Sequence, residues 1–210
     1  ALVYHGLDLP RFPPPPGPRP KRDGAGAPVE LLSIGRLVEK KGYDVLLRAL
    51  ALLPPALNWR LTHIGRGELE AATKALAEKL GLSKRILWRG AQPQTEVLSA
   101  LRQSDLFVLA CKVADDGDRD GLPNVLMEAQ SQALACLATR VSGIPELIED
   151  GVTGVLVEEK NPAAFAAALA ALIRDPDARA RLGAAGAARL RRDFDFAAGV
   201  EAIFARMSAG

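Results

Sequence analysis

Residues 29–53 read VELLSIGRLVEKKGYDVLLRALALL, and the change of pattern inside this stretch decides the fold. Positions 29–34 are almost solidly apolar, which suits a strand covered on both faces of a parallel sheet. Positions 35–42 break the run with glycines and charges, and 43–53 resume with the spacing of an amphipathic helix. The same alternation repeats along the chain. Strands are expected over 29–34, 59–64, 85–88, 106–110, 136–139 and 154–157, and helices over 43–53, 69–80, 94–102, 123–134, 144–149, 162–174, 176–191 and 196–207. This order predicts an α/β fold, a Rossmann-like open parallel sheet with helices on both faces and right-handed crossovers. Ligands of such sheets sit outside the carboxyl ends of the strands. Loops 35–42, 65–68, 89–92, 111–123, 140–145 and 158–161 are therefore where chemistry is expected.

Bulk properties narrow the choice. The chain has 210 residues, 49% hydrophobic and 25% charged, with a net charge of +2, enough for one well-buried domain and the balance of a globular protein. No apolar run approaches the ~20 residues that cross a bilayer. Few aromatics and no dense basic block argue against nucleic acid. The basic cluster from Arg174 to Arg192 reads as a helix surface. Cys111 and Cys136 lie in or beside apolar runs that look like neighbouring strands, so both are expected to be buried reduced thiols. No metal is expected, because the two His and two Cys lack ligand spacing. Residues 13–28 are rich in Pro, Gly and Ala and read as a stiff, poorly packed connector following an opening strand and turn.

The loops carry the candidate site. Asp120-Gly-Leu-Pro-Asn-Val-Leu-Met-Glu128 sets two carboxylates across the start of a helix, with Pro123 expected at its first position. Amides at such a helix mouth attract phosphates. By themselves these residues also fit a loop acid and a solvated helix face shared by Asn124, Glu128, Ser131 and Gln132. In the first loop, Gly35 allows close backbone approach, and Arg36 and Lys41 are suited to one diphosphate. Surface cations are the plainer account of the same pair. Gly65-Arg-Gly67 lacks a third glycine and reads as corner packing rather than a dinucleotide fingerprint. Arg89-Gly90 offers backbone and stacking groups where a base could rest. Asp115, Asp116, Asp118 and Asp120 do not match a calcium loop.

Taken in order, Gly35-Arg36 with Lys41-Gly42, Asp120-Gly-Leu-Pro with Glu128-Ala129, Ser142-Gly-Ile-Pro-Glu146 and Asp150-Gly-Val-Thr-Gly-Val-Leu-Val157 resemble the retaining glycosyltransferase family 4, the group 1 glycosyltransferases. The resemblance implies one half of a GT-B fold. Residues 1–28 would be the interdomain linker and tail of a missing amino-terminal domain, and 29–210 a nucleotide-sugar-binding carboxy-terminal domain. It implies an enzyme, a glycosyltransferase with hexosyl transfer expected, inactive as an isolated domain. By similarity, Arg36, Lys41, Asp120 and Glu128 are the catalytic set, with Arg36 and Lys41 on the diphosphate, Asp120 on a sugar hydroxyl and Glu128 on the ribose. Gly35, Arg89, Gly121, Leu122, Pro123 and Asn124 complete the donor pocket. The family usually has Glu where this chain has Asp120, one methylene shorter.

The resemblance further implies no cofactor, a UDP- or GDP-sugar donor, and a carbohydrate or lipid-linked acceptor held by the missing domain. It implies no nucleic-acid partner, a cytoplasmic location, and a peripheral association of the full-length protein with the inner face of the membrane. Polysaccharide biosynthesis is the expected setting. The alternatives are a GT-B-type nucleotide-sugar epimerase, for which His5 and His63 are poor acid/base candidates, and a non-catalytic nucleotide-binding module.

Overall fold

Six parallel strands form one sheet in the order β3-β2-β1-β4-β5-β6. They are β1 (Val29–Ile34), β2 (Trp59–Ile64), β3 (Ile86–Trp88), β4 (Leu106–Leu109), β5 (Cys136–Thr139) and β6 (Val155–Val157). The helices are α1 (Tyr43–Ala51), α2 (Glu70–Lys79), α3 (Gln94–Gln103), α4 (Asn124–Ser131), α5 (Ile144–Leu147), α6 (Pro162–Arg174), α7 (Pro176–Asp193) and α8 (Phe196–Met207). The computed structural model describes residues 6–207, without the side chains of 198, 202, 203 and 205–207. The expected strand in the opening segment falls partly on residues 1–5, including His5, outside the described residues. Leu7 forms a single bridge to Asp195 rather than a strand.

Burial explains the solid apolar runs. Leu31, Leu61 and Val108 point to one core with α1 and α6, while Leu32, Phe107, Leu109 and Cys136 point to another with α3, α4 and α5. Neighbouring residues of each strand thus serve opposite faces. Each buried Leu or Phe contributes roughly 1.5–3 kcal/mol of transfer free energy. Both cysteines are fully buried and free. Asn161 and Asp175 cap α6 and α7 by accepting from the amides of Ala164 and Ala178.

Two expectations are corrected at the amino-terminal end of the sheet. The proline-rich connector is packed, not loose. Arg19 donates to the carbonyls of Arg102, Ser104 and Gln132 at 2.9, 2.6 and 2.8 Å. Arg22 grips both carboxylate oxygens of the buried Asp105 at 3.0 and 2.9 Å. Proline carbonyls held without competing local donors are good acceptors, and Gln132 and Arg102 use those of Pro13 and Pro14. The basic run 174–192 is likewise not all surface. Arg179 is 5% exposed, and its guanidinium bonds the carbonyls of Leu172, Ile173 and Arg22, tying the connector to the turn between α6 and α7. An always-charged fork is tolerated there because carbonyls meet it on several sides.

Arg179→Ala is expected to cost about 3 kcal/mol, since it strands buried carbonyls that the guanidinium satisfied. Urea denaturation measures this, and a loss within ~0.5 kcal/mol, the range of an ordinary surface change, would contradict the packing described.

Candidate functional site

The strand order reverses between β1 and β4, so the loops leaving these neighbours diverge and open a crevice. Gly42 sets how closely they approach. It has φ +63, and a Cβ there would lie 1.8 Å from the carbonyl oxygen of Ala110, a clash no side chain survives. Beyond that contact, the amide of Lys112 donates to the carbonyl of Lys40 at 2.9 Å. Gly35 makes room on the other side, where a Cβ would meet the Tyr43 hydroxyl at 3.0 Å and the Lys41 stem at 3.4 Å.

Lys41 and Asp120, assigned from separate motifs, meet across this crevice. The Lys41 Nζ lies 2.6 Å from Asp120 Oδ2, with the two side chains 12% and 18% exposed. Lys40 lies 3.7 Å from the other Asp120 oxygen, and the Cys111 thiol is 3.6 Å from Oδ2. Burial pushes that thiol up to about 12, so it acts as a neutral donor. Arg36 is exposed and borders a cavity of about 210 Å³ with Lys40, Asp116 and Asp118.

The mouth of α4 differs from expectation by one residue. Pro123 is the N-cap, with φ −66 and ψ 119, and Asn124 begins the helix. A proline ring with extended ψ ends the loop without spending an amide. Pro123 has no side-chain oxygen with which to cap this end. Gly121 faces open space, since a Cβ built on it meets nothing within 4 Å, and its carbonyl accepts from Gly143 at 3.2 Å. The solvated face proposed for α4 is confined to its first turn: Asn124 is exposed, but Ser131 and Gln132 are fully buried. Glu128 is half-buried; burial raises its pKa and a hydrogen bond from Gln94 opposes the rise. Arg89, after β3, is committed to Glu96 at 2.8 Å and lies on a groove with Thr62 and Leu87 rather than in the cavity beside Arg36.

The glycines of the second loop have the packing role expected of them. Gly65 and Gly67 would place a Cβ 2.0 and 2.2 Å from the carbonyl oxygens of Gly35 and Leu37. Sequence reasoning missed Lys40, Gln94, Cys111 and Glu159. Glu159 accepts from the Val113 amide at 2.6 Å and steadies the β4 loop. The Lys40-Lys41 doublet was the one visible signal; the other contacts join segments far apart in sequence. Among the described residues, no three His, Cys, Asp or Glu side chains are grouped to hold a metal.

His63, at the floor of this region, is buried and set edge-on to Tyr43 with centroids 4.7 Å apart. Its Nε2 lies 3.2 Å from the Gly35 carbonyl, which can only accept, so Nε2 carries the proton. Nδ1 has no partner among the described residues. Charging the ring would bury an unpaired N–H, and burial holds its pKa down to about 4, against an ordinary 6.5. A folded value below the unfolded one means the contribution is complete above pH 6.5 and is lost as pH falls toward 4. Between pH 7 and 4.5 the stability advantage of wild type over His63→Leu should shrink by about 2–3 kcal/mol. A constant difference would show that the ring is already charged or reaches water.

A family model described as "Glycosyl transferases group 1" matches residues 19–189. A putative colanic acid biosynthesis glycosyltransferase of Escherichia coli is 34% identical over 93% of this chain and 47% of its own length. A GDP-mannose-dependent phosphatidylinositol monomannoside mannosyltransferase of Mycolicibacterium smegmatis is 31% identical over 86% and 49%. The chain thus spans about half the length of the curated relatives it matches. Among solved structures, Anabaena HepE in complex with UDP superposes with a TM-score of 0.83 at 20% identity, over 99% of this chain and 57% of that one. The C-terminal domain of a group 1 family protein from Francisella tularensis gives 0.73 at 24% identity, over 90% and 99%. The sheet is that of one Rossmann-like half of a GT-B glycosyltransferase. The chain belongs to the group 1 glycosyltransferase family.

Proposed function

We propose that this chain is the donor-binding, carboxy-terminal half of a retaining family 4 glycosyltransferase, taking a sugar from a UDP- or GDP-sugar. The observation that carries the reading is the Lys41–Asp120 pair at the point where strand order reverses, on the loop that leads into α4. Lys41, Arg36 and the amides around Gly121, Leu122 and Asn124 offset the charge that grows on the diphosphate as the glycosidic bond breaks. Asp120 accepts from a sugar hydroxyl and Glu128 from the ribose hydroxyls, and the backbone at Arg89, whose side chain is held by Glu96, borders the base. Gly35 and Pro123 keep the backbone close without side-chain bulk. The loops offer no enzyme nucleophile in an obvious place, so the departing phosphate serves as base in a front-side attack that keeps the anomeric configuration.

Relatives support the donor class. HepE was solved with UDP-glucose, the mycobacterial relative is GDP-mannose-dependent, and others are named for colanic acid and amylovoran biosynthesis. The acceptor, a carbohydrate or lipid-linked glycan, is held by an amino-terminal domain joined through residues 1–28. The isolated chain binds donor without transferring it, and the whole enzyme works in the cytoplasm at the inner face of the membrane. Among the described residues no helix is long and apolar enough to cross that membrane.

Calorimetric titration with UDP, GDP and ADP and their sugars tests the donor site. Lys41→Ala or Arg36→Ala should weaken binding at least about 10-fold, the loss of one charge-assisted contact, and Glu128→Gln about fivefold. Equal affinities in all three variants would remove the site. Because burial raises the Glu128 pKa, wild-type affinity should start to fall at a higher pH than for an ordinary carboxylate, and Glu128→Gln should lack that step. For the complete enzyme, NMR of the anomeric proton should show retention; an inverted product overturns the mechanism.

A further inference from the structure

Lys40 is a cation that no motif assigned, and it is already occupied. Both oxygens of Asp118 lie on its ammonium, at 3.1 and 3.0 Å, and the nearer oxygen of Asp120 is 3.7 Å away. The loop is built to hold Asp118 there. The Asp118 carbonyl accepts from Ala114 at 2.9 Å, and Gly117, at φ +84, closes the turn onto the Ala114 carbonyl at 2.9 Å. The Asp118 amide bonds Asp116 at 2.8 Å, and the Asp115 amide bonds Glu39, beside Lys40, at 3.1 Å. Lys41 is matched in the same way by Asp120. Two neighbouring ammonium groups are therefore covered by two carboxylates that sit two positions apart on the same loop.

We propose that Lys40 is a further phosphate-binding residue and that Asp118 is its resident anion, displaced when a nucleoside diphosphate enters. This rests on the donor-site reading above. The Lys40 side chain is 17% exposed but that of Asp118 is 57% exposed, and a contact open to water on one side is weak. A diphosphate, carrying more charge and more acceptor oxygens than one carboxylate, outcompetes it. Arg36, Lys40, Asp116 and Asp118 border one cavity, so the displaced carboxylate has space to turn outward while Lys40 stays in place. The acidic loop thus keeps the empty site neutral and makes binding an exchange of anions.

Titration of the chain with UDP and GDP at fixed ionic strength tests this. Asp118→Asn should tighten diphosphate binding about fivefold, the size expected from losing one weak, solvent-exposed competitor. Asp115→Asn removes the same charge from the same loop at a side chain 91% exposed and 4.0 Å from Lys160, and it should leave affinity unchanged. Lys40→Ala should weaken binding severalfold, and adding Asp118→Asn to it should restore nothing. If Asp118→Asn binds no better than wild type while Lys41→Ala still loses affinity, the exchange is wrong and the donor site stands. An equal gain from Asp115→Asn would also overturn it, leaving only long-range charge. If no form of the chain binds either diphosphate, both readings fall.

Discussion

The close approach of Gly42 to the Ala110 carbonyl is the constraint from which the site follows. It binds the end of the β1 loop to the end of β4 at the reversal of strand order. Lys40 and Lys41 come immediately before that glycine, and Cys111 to Asp120 follow that carbonyl. Their charges are thus brought together by backbone packing rather than by their own attraction. A salt bridge between flexible side chains would be a weak organiser; a contact without room for a methyl group is a strong one. Gly65 and Gly67 extend the same backbone-on-backbone packing onto the carbonyls of Gly35 and Leu37.

Charge is managed differently at the two ends of the sheet. At the carboxyl end, lysines and aspartates are paired, and Asp118 lies open to water, the exposure on which the proposed exchange of anions depends. At the amino end, Arg19, Arg22 and Arg179 are spent on carbonyls and on the buried Asp105. The cavity of about 260 Å³ there is lined by the connector and by Ala133, Ala180 and Ala184, and its Arg19, Asp105 and Arg179 are already engaged by protein groups. That end holds the connector in place, and the donor site is proposed at the other.

Much of the sheet was legible because its strands are short and mostly apolar, and all but β6 are followed by a glycine-bearing loop. Leu31 and Leu32 sit in different cores, which is why the run 29–34 shows no alternation. Helix ends were less legible: a proline sets a boundary, but whether Pro123 is cap or first residue depends on ψ, which composition does not encode. The connector was misread because its proline content signals stiffness, whereas its packing depends on Arg102, Gln132 and Arg179, all more than 80 residues away. Lys41 and Asp120 were each singled out from their own loops. Their pairing was not, because only the order of the strands makes β1 and β4 neighbours. Glu128 looked solvent-facing in its helical stripe until α7 and the connector covered Ser131 and Gln132.

A crystal structure of this chain soaked with a UDP- or GDP-sugar tests the central claim most directly. The account predicts diphosphate oxygens within hydrogen-bonding distance of Lys41 Nζ and of the amides at the start of α4. Density in the amino-end cavity instead, or nucleotide bound with Lys41 turned away from the phosphates, would contradict it.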